Sequence, residues 1–226
     1  VTPGHQVPTG VTMSSARRRQ LLEHAARHDA VIIEDDYDSE SNFMLNPLPA
    51  LKASDRSGRV VYVSSLSKAL SPGLRLGFMV ADPDLIDEAR ALRRLVYRHP
   101  PTNIQYQMAH FLAQGHYETH LRRYHFDSAQ RWERLHAALQ RYLPSCRALA
   151  GSEHANAFWL QTPAQINTQQ LTWRAAHAGV LIEPGARHFL SAAPPDNYFR
   201  MGFHAINPDA IAQGVEVLRG QLEQMG

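Results

Sequence analysis

Apolar residues recur at helical spacing over 14–28, with polar positions on the other face, which predicts an amphipathic helix. An apolar, β-branched run at 30–34 leads straight into acids and reads as a buried strand with a polar end. Further strands are expected near 59–64 and 74–81, then helices at 83–97 and 103–142, the latter broken around Gly115. Strands and helices alternate at crossover length, so the first part of the chain predicts an α/β arrangement with a parallel-rich sheet. From about 145 onward the order is strand, helix, strand, strand, helix, which predicts a separate small α+β lobe reached through the long helical stretch. No internal repeat or low-complexity tract interrupts the pattern.

Composition narrows this picture only a little. The 226 residues, 44% of them hydrophobic, are enough to bury a core in one or two domains. A formal net charge of +2 is too mild to imply nucleic-acid binding by this segment. The basic clusters Arg17-Arg18-Arg19 and Arg122-Arg123 fall in helical patterns and are expected on solvated faces. A single Cys146 excludes an intrachain disulfide framework and fits a reducing, cytoplasmic setting. The sequence has neither a stretch long and apolar enough for a membrane span nor a visible signal peptide.

The chemistry concentrates in Ser64-Ser-Leu-Ser-Lys68-Ala-Leu-Ser-Pro-Gly-Leu-Arg75. An amine that must form a Schiff base needs a fixed position and a route to lose its proton; a phosphate on the same cofactor needs charge and donors nearby. Lys68 can supply the first, and Ser65 with Arg75 the second. Arginine suits a phosphate because its fork donates two hydrogen bonds and stays charged. Taken alone, Ser-x-x-Lys is also what a solvated loop lysine looks like. The run Val31-Ile-Ile-Glu-Asp35-Asp-Tyr37-Asp-Ser-Glu adds to the picture, since alternation on a strand puts Asp35 and Tyr37 on one side. A carboxylate beneath a pyridine nitrogen keeps it protonated, which assigns Asp35, and a phenol beside the ring oxygen assigns Tyr37. The competing reading of this run is an acidic loop at a strand end.

Two more motifs, His5-Gln-Val-Pro8-Thr9-Gly10 and Tyr198-Phe-Arg200-Met-Gly-Phe, stand before and after these in the chain. Together the motifs resemble the C-terminal two thirds of a fold type I pyridoxal phosphate protein of the aspartate aminotransferase superfamily. The wording of His-Gln-x-Pro-Thr-Gly and Glu-Asp-Asp-Tyr-Asp-Ser-Glu is similar to the MocR branch of the GntR regulators, in which a winged helix-turn-helix domain is joined to an aminotransferase-like domain. The resemblance covers nearly the whole chain. It implies an α/β fold, with 1–100 as the C-terminal part of the large cofactor-binding domain, 101–144 as connecting helices and 145–226 as the small C-terminal α+β domain. It implies pyridoxal 5'-phosphate held as an aldimine on Lys68, with Asp35 at the ring nitrogen and Tyr37 at the ring hydroxyl. Ser65 and Arg75 become phosphate ligands, Ser67 a further cofactor-binding residue, and Arg200 the group that takes an amino acid's carboxylate; from its own segment, Arg200 reads equally well as a structural arginine in a strand. Val180-Leu-Ile-Glu-Pro184-Gly185-Ala-Arg-His-Phe189 fits the family's Pro-Gly turn and is expected to serve the fold.

Two departures refine the branch. Ordinary aminotransferases carry an asparagine just before Pro-Thr-Gly, and here the position is Val7, which cannot make that hydrogen bond. After Glu40 the chain reads Ser41-Asn42-Phe43 where the family usually brings an aromatic sooner. The resemblance also implies an upstream phosphate loop, a ring-stacking aromatic and a DNA-binding domain that this chain does not contain, so a fragment is expected. His116 and His120 share a helix face at a spacing that can bind zinc, but no third ligand is evident; surface helix histidines are expected and no metal is assigned.

The function expected from this reading is an effector- or cofactor-sensing domain of a pyridoxal-phosphate-dependent transcriptional regulator. It would bind an amino acid or amine, form a homodimer, and reach DNA only through the missing N-terminal winged helix. The alternative is a catalytically active class I/II aminotransferase, since every visible catalytic part is compatible with turnover.

Overall fold

A computed structural model describes residues 1–38, 40, 43, 48–149 and 157–225. The motif residues Ser39, Ser41 and Asn42 therefore lie outside the described residues. The chain divides into two compact units, Val1–His5 with Thr12–His125, and Gln6–Val11 with Phe126–Gly226. Among the described residues no helix is long and apolar enough to cross a membrane.

The first unit opens with helix α1 (Ser15–Arg27), whose first turn is capped by the Ser14 hydroxyl accepting from the Arg17 amide. Strand β1 (Ile32–Asp36) follows, then the short helix α2 (Leu51–Ser54), strand β2 (Val60–Ser65) and strand β3 (Gly77–Val80). The sheet order is β1-β2-β3, with β1 and β2 parallel in the register Ile32↔Val60 to Asp36↔Ser64. β3 runs antiparallel to β2, so the sheet is mixed where the pattern predicts mostly parallel pairing. The reason is length: residues 66–76 hold only turns and the 3-10 segment Pro72–Leu74, too little chain for a parallel crossover. Gly77 permits the return, because a Cβ there would lie 2.8 Å from the Ser64 carbonyl oxygen. Helices α3 (Pro83–Tyr97), α4 (Thr102–Ala113) and α5 (His116–Tyr142) complete the run, with Gly115 at φ +70° making the predicted break.

β1 is not buried along its length. Ile32 and Glu34 are buried, whereas Ile33 is 61% exposed, because only one face of the sheet is covered by described residues. Ala25, Ile32, Leu51 and Val60 form that core, with Leu21 and Leu22 packed against it. Glu34 is buried here because its carboxylate accepts the Leu51 and Lys52 amides at 2.7 and 2.9 Å, closing the N-terminus of α2.

The second unit is built on an antiparallel sheet of order β4-β5-β7-β6, from β4 (Arg147–Ala148), β5 (Ala157–Gln161), β6 (Glu183–Pro184) and β7 (Tyr198–Gly202). Helices α6 (Thr168–His177) and α7 (Ile211–Glu223) pack together. Phe158, Leu160, Leu171, Phe199, Phe203, Val215 and Leu218 are buried in this unit, as are Leu135 and Leu139 from α5. Among the described residues, 145–149 and 157–225 follow the expected α+β order, with one further two-residue strand, β4.

Candidate functional site

β1 ends at Asp36, and Tyr37 and Asp38 lie in the turn beyond it. Strand alternation therefore stops short of Tyr37, whose position is set by the turn instead. Its hydroxyl donates to the His5 carbonyl at 3.4 Å. Lys68 reaches the same place from the loop after β2: its Nζ lies 4.5 Å from the centre of the Tyr37 ring and 2.8 Å from Asp38 Oδ1. The Lys68 side chain is 35% exposed, so the amine is both held and open to a reactant. Sequence reasoning thus paired Lys68 with Tyr37 but missed Asp38 and His5, which complete the cluster. Asp38 Oδ2 accepts from His5 Nδ1 at 3.2 Å, with both side chains buried.

Asp35 projects on the exposed side of β1, and its amide donates to the Val1 carbonyl at 2.9 Å. The Val1 backbone nitrogen in turn donates to the Ile33 carbonyl at 2.8 Å, so Val1 flanks β1 as a further strand would. Asp36, the acid facing the other way, is bound by the Tyr62 hydroxyl at 2.8 Å.

The cofactor-binding residues expected after β2 frame one loop. Ser65 ends β2, and its Oγ accepts from the Ser67 amide at 3.1 Å. Arg75 closes the loop at φ 49°, ψ 40°, a left-handed conformation that costs a non-glycine residue roughly 1–2 kcal/mol. The pairing of Ser65 with Gly77 pins the two ends of this loop together, and the Arg75 side chain remains exposed.

Helix α5 braces both sides of the cluster. His120 Nε2 donates to the carbonyl of Ala69, the residue after Lys68, at 2.6 Å, and His125 Nε2 donates to the Glu40 carbonyl at 2.7 Å. A carbonyl only accepts, so each ring carries its proton on Nε2. His120 is accordingly half-buried and engaged, not a surface histidine as expected; His116 is exposed. Tyr117 hydrogen-bonds the Glu40 carboxyl. Burial pushes the Glu40 pKa up, the Tyr117 bond pulls it down and Asp36 raises it again; burial and Glu40 also raise Tyr117.

Arg18 corrects a second expectation. It is buried, while Arg17 and Arg19 are exposed, because its guanidinium donates to three backbone carbonyls, those of Met13, Pro49 and Pro3. It thereby fastens the segment that carries His5. Burial lowers its pKa, against Glu34 and Asp36, which raise it.

Arg200 lies in the second unit, on β7 opposite Glu183, and its Nη1 is 3.3 Å from the Glu183 carboxylate. Arg187 and His188 reach the same carboxylate at 3.5 and 3.2 Å. Gly185 is fixed by packing, since a Cβ would lie 2.5 Å from the Trp159 ring and 2.6 Å from the Tyr198 carbonyl oxygen. Cys146 has its thiol pushed up to about 11 by burial, against a hydrogen bond with Ser145, and so stays protonated.

As a donor set, a half-open amine, a phenol, a free-facing carboxylate and a loop of hydroxyls with a guanidinium match the parts of pyridoxal phosphate: aldehyde, ring oxygen, ring nitrogen and phosphate. Comparison with known proteins gives the family. The chain is 39% identical over 216 residues to the HTH-type transcriptional regulator TauR of Rhodobacter capsulatus, covering 95% of this chain and 44% of the regulator. It is 34% identical over 220 residues to the probable rhizopine catabolism regulatory protein MocR of Rhizobium meliloti, covering 97% of this chain and 44% of that protein. Among solved structures, it matches kynurenine aminotransferase of Pyrococcus horikoshii in complex with PMP at a TM-score of 0.88 and 28% identity, over 99% of this chain and 55% of that one. It matches LysN, the α-aminoadipate aminotransferase of Thermus thermophilus, at 0.89 and 27%, over 100% of this chain and 58% of that one. The chain thus spans about half the length of the relatives it matches, and its resemblance to MocR-type regulators holds along nearly all of its own length. The model of the family "Aminotransferase class I and II" matches residues 1–218, and this chain belongs to that family.

Proposed function

We propose that this chain is the cofactor-holding, ligand-sensing part of a MocR-type transcriptional regulator. The observation that carries the reading is Lys68, a partly exposed amine seated against Tyr37 on a framework that two such regulators share at 39% and 34% identity. When bound, pyridoxal phosphate supplies an aldehyde that takes primary amines and a ring that withdraws electrons.

In this reading Lys68 is the covalent anchor. Asp35, on the uncovered side of β1, holds the proton of the ring nitrogen, and Tyr37 exchanges its long bond to the His5 carbonyl for one donated to the ring oxygen. Ser65 and the exposed Arg75 take the phosphate, and Ser67 adds a further cofactor contact. Arg200 takes the carboxylate of an amino acid effector, competing with Glu183 for the same guanidinium. An effector shifts the protein only by binding its two states with different affinity, so the regulatory signal is that difference. DNA contact belongs to a winged helix outside this chain, and a homodimer is the expected assembly.

The test is absorbance titration with pyridoxal phosphate, borohydride reduction and peptide mapping. A reduced adduct on Lys68 that disappears in Lys68→Ala supports the anchor, and absence of a specific adduct in the full-length protein refutes it. An amino-acid-dependent change in operator affinity of the full-length protein, lost in Lys68→Ala, supports sensing.

A second reading, an active aminotransferase, draws on the similarity to aminotransferase structures at TM-scores of 0.88 and 0.89. Sustained conversion of an amino acid and a keto acid without any effect on DNA affinity would favour it.

A further inference from the structure

Resting on the reading of Lys68 as the anchoring amine, we propose that Asp38 is the positioning residue that holds Lys68 as an ammonium until an aldehyde claims it, with His5 fixing Asp38 from behind. The two oxygens of Asp38 face two different donors, Lys68 Nζ at 2.8 Å and His5 Nδ1 at 3.2 Å. The carboxylate is only 3% exposed and the His5 side chain 4%, so this is a built buried feature and not a surface ion pair. An ionised carboxylate can only accept, so His5 Nδ1 donates. The Tyr37 hydroxyl, donating to the His5 carbonyl, ties the third member of the cluster to the same segment.

The chemical consequence concerns the lysine's proton. An opposite charge at this distance favours the ammonium, and a cation over the Tyr37 ring is favoured further. Attack on an aldehyde needs the free amine. Asp38 therefore sets the pH at which Lys68 becomes reactive, and capture must break the Lys68–Asp38 pair. The His5 donor then remains on the carboxylate, which limits the cost of leaving a buried charge without its cation. Two titratable groups on neighbouring elements are engaged elsewhere. His120 of α5 is spent on the Ala69 carbonyl, and Asp36 is spent on the Tyr62 hydroxyl.

The sequence makes the test clean, because Lys52 and Lys68 are its two lysines. Competitive acetylation of the full chain with acetic anhydride across pH, read by peptide mass, gives the labelling midpoint of Lys68 without any cofactor. Asp38→Asn is expected to lower that midpoint by about one unit or more. Near neutral pH, Lys68 should then label about tenfold faster. Asp38→Glu, which keeps the charge, should restore most of the wild-type midpoint. Equal midpoints in wild type and Asp38→Asn, or no restoration by Asp38→Glu, overturn the proposal. Should Asp38→Asn fail to fold, the wild-type midpoint decides: above the ordinary lysine value of about 10.4 supports Asp38's role, below it refutes it. A parallel wild-type titration with pyridoxal phosphate separates the two ideas. Adduct on Lys68 with no midpoint shift sinks the Asp38 role alone; a midpoint shift with no adduct sinks the cofactor reading alone.

Discussion

Arg18→Met should destabilise the first unit by about 3–5 kcal/mol. The arginine stem is buried and methionine replaces it closely, so the packing change is small and the loss falls on hydrogen bonding. Three donors disappear, leaving the carbonyls of Met13, Pro49 and Pro3 without the guanidinium that now meets them at 2.9, 2.6 and 2.9 Å. Hydrogen bonds to charged groups contribute roughly 1.5–3 kcal/mol each, which would sum to more than the figure given. The sum is reduced because methionine also relieves the burial of a cation, which burial already disfavours. Urea unfolding measures the effect as a shift in midpoint at constant slope. Arg18→Lys should recover little, since an ammonium cannot fork to three divergent carbonyls. The amides of Met13, bonded to the Pro3 carbonyl, and Asp35, bonded to the Val1 carbonyl, should exchange faster in the variant. A loss below about 1 kcal/mol would refute the argument that Arg18 fastens the His5 segment.

Asp55→Asn should cost about 2 kcal/mol at neutral pH and almost nothing near pH 2. Burial alone would raise the Asp55 carboxyl, but hydrogen bonds from the Val60 and Ser57 amides, the Ser57 hydroxyl and the Arg59 amide outweigh it and bring the pKa to about 2 from 3.8. The folded pKa is depressed, so the stabilisation is present above about 3.8 and lost as pH falls through 2; urea titrations at several pH values check the sign. Gly185→Ala should destabilise the second unit by at least 1–3 kcal/mol, read by thermal unfolding, because the new methyl meets the Trp159 ring and the Tyr198 backbone. Arg200→Gln should weaken binding of carboxylate-bearing amines by about tenfold to a hundredfold while leaving cofactor capture by Lys68 unchanged, measured by spectral titration of the full-length protein.

How much of this was legible in advance depends on whether the signal was periodic or conformational. Strand and helix order came through because apolar spacing reports it, and Gly115 marked the helix break because few other residues take φ +70°. The direction of β3 did not, since hydrophobic spacing carries no information about hydrogen-bond partners; only the shortness of residues 66–76 could have given it. Arg18 looked like its neighbours Arg17 and Arg19, and its burial follows from three carbonyls contributed by segments far apart in the sequence. Glu183 and Arg200 needed a strand register before they could be paired.

The candidate site divides in the same way. Lys68 could be singled out because the proposed chemistry demands an amine, and a count sharpens the choice: of 23 basic residues only two are lysines. Asp38 was not, because extending the β1 alternation past Asp36 turns attention to Asp35 and Tyr37 and away from the next acid in the turn. Yet the turn is what brings a buried carboxylate within 2.8 Å of the lysine. A reactive amine needs more than its own identity: something must hold it in place while it is charged and release it when it is not. In the proposed site that task falls to Asp38 and His5, residues whose type is ordinary and whose position alone suits them to it, which is why only the folded geometry brings them forward.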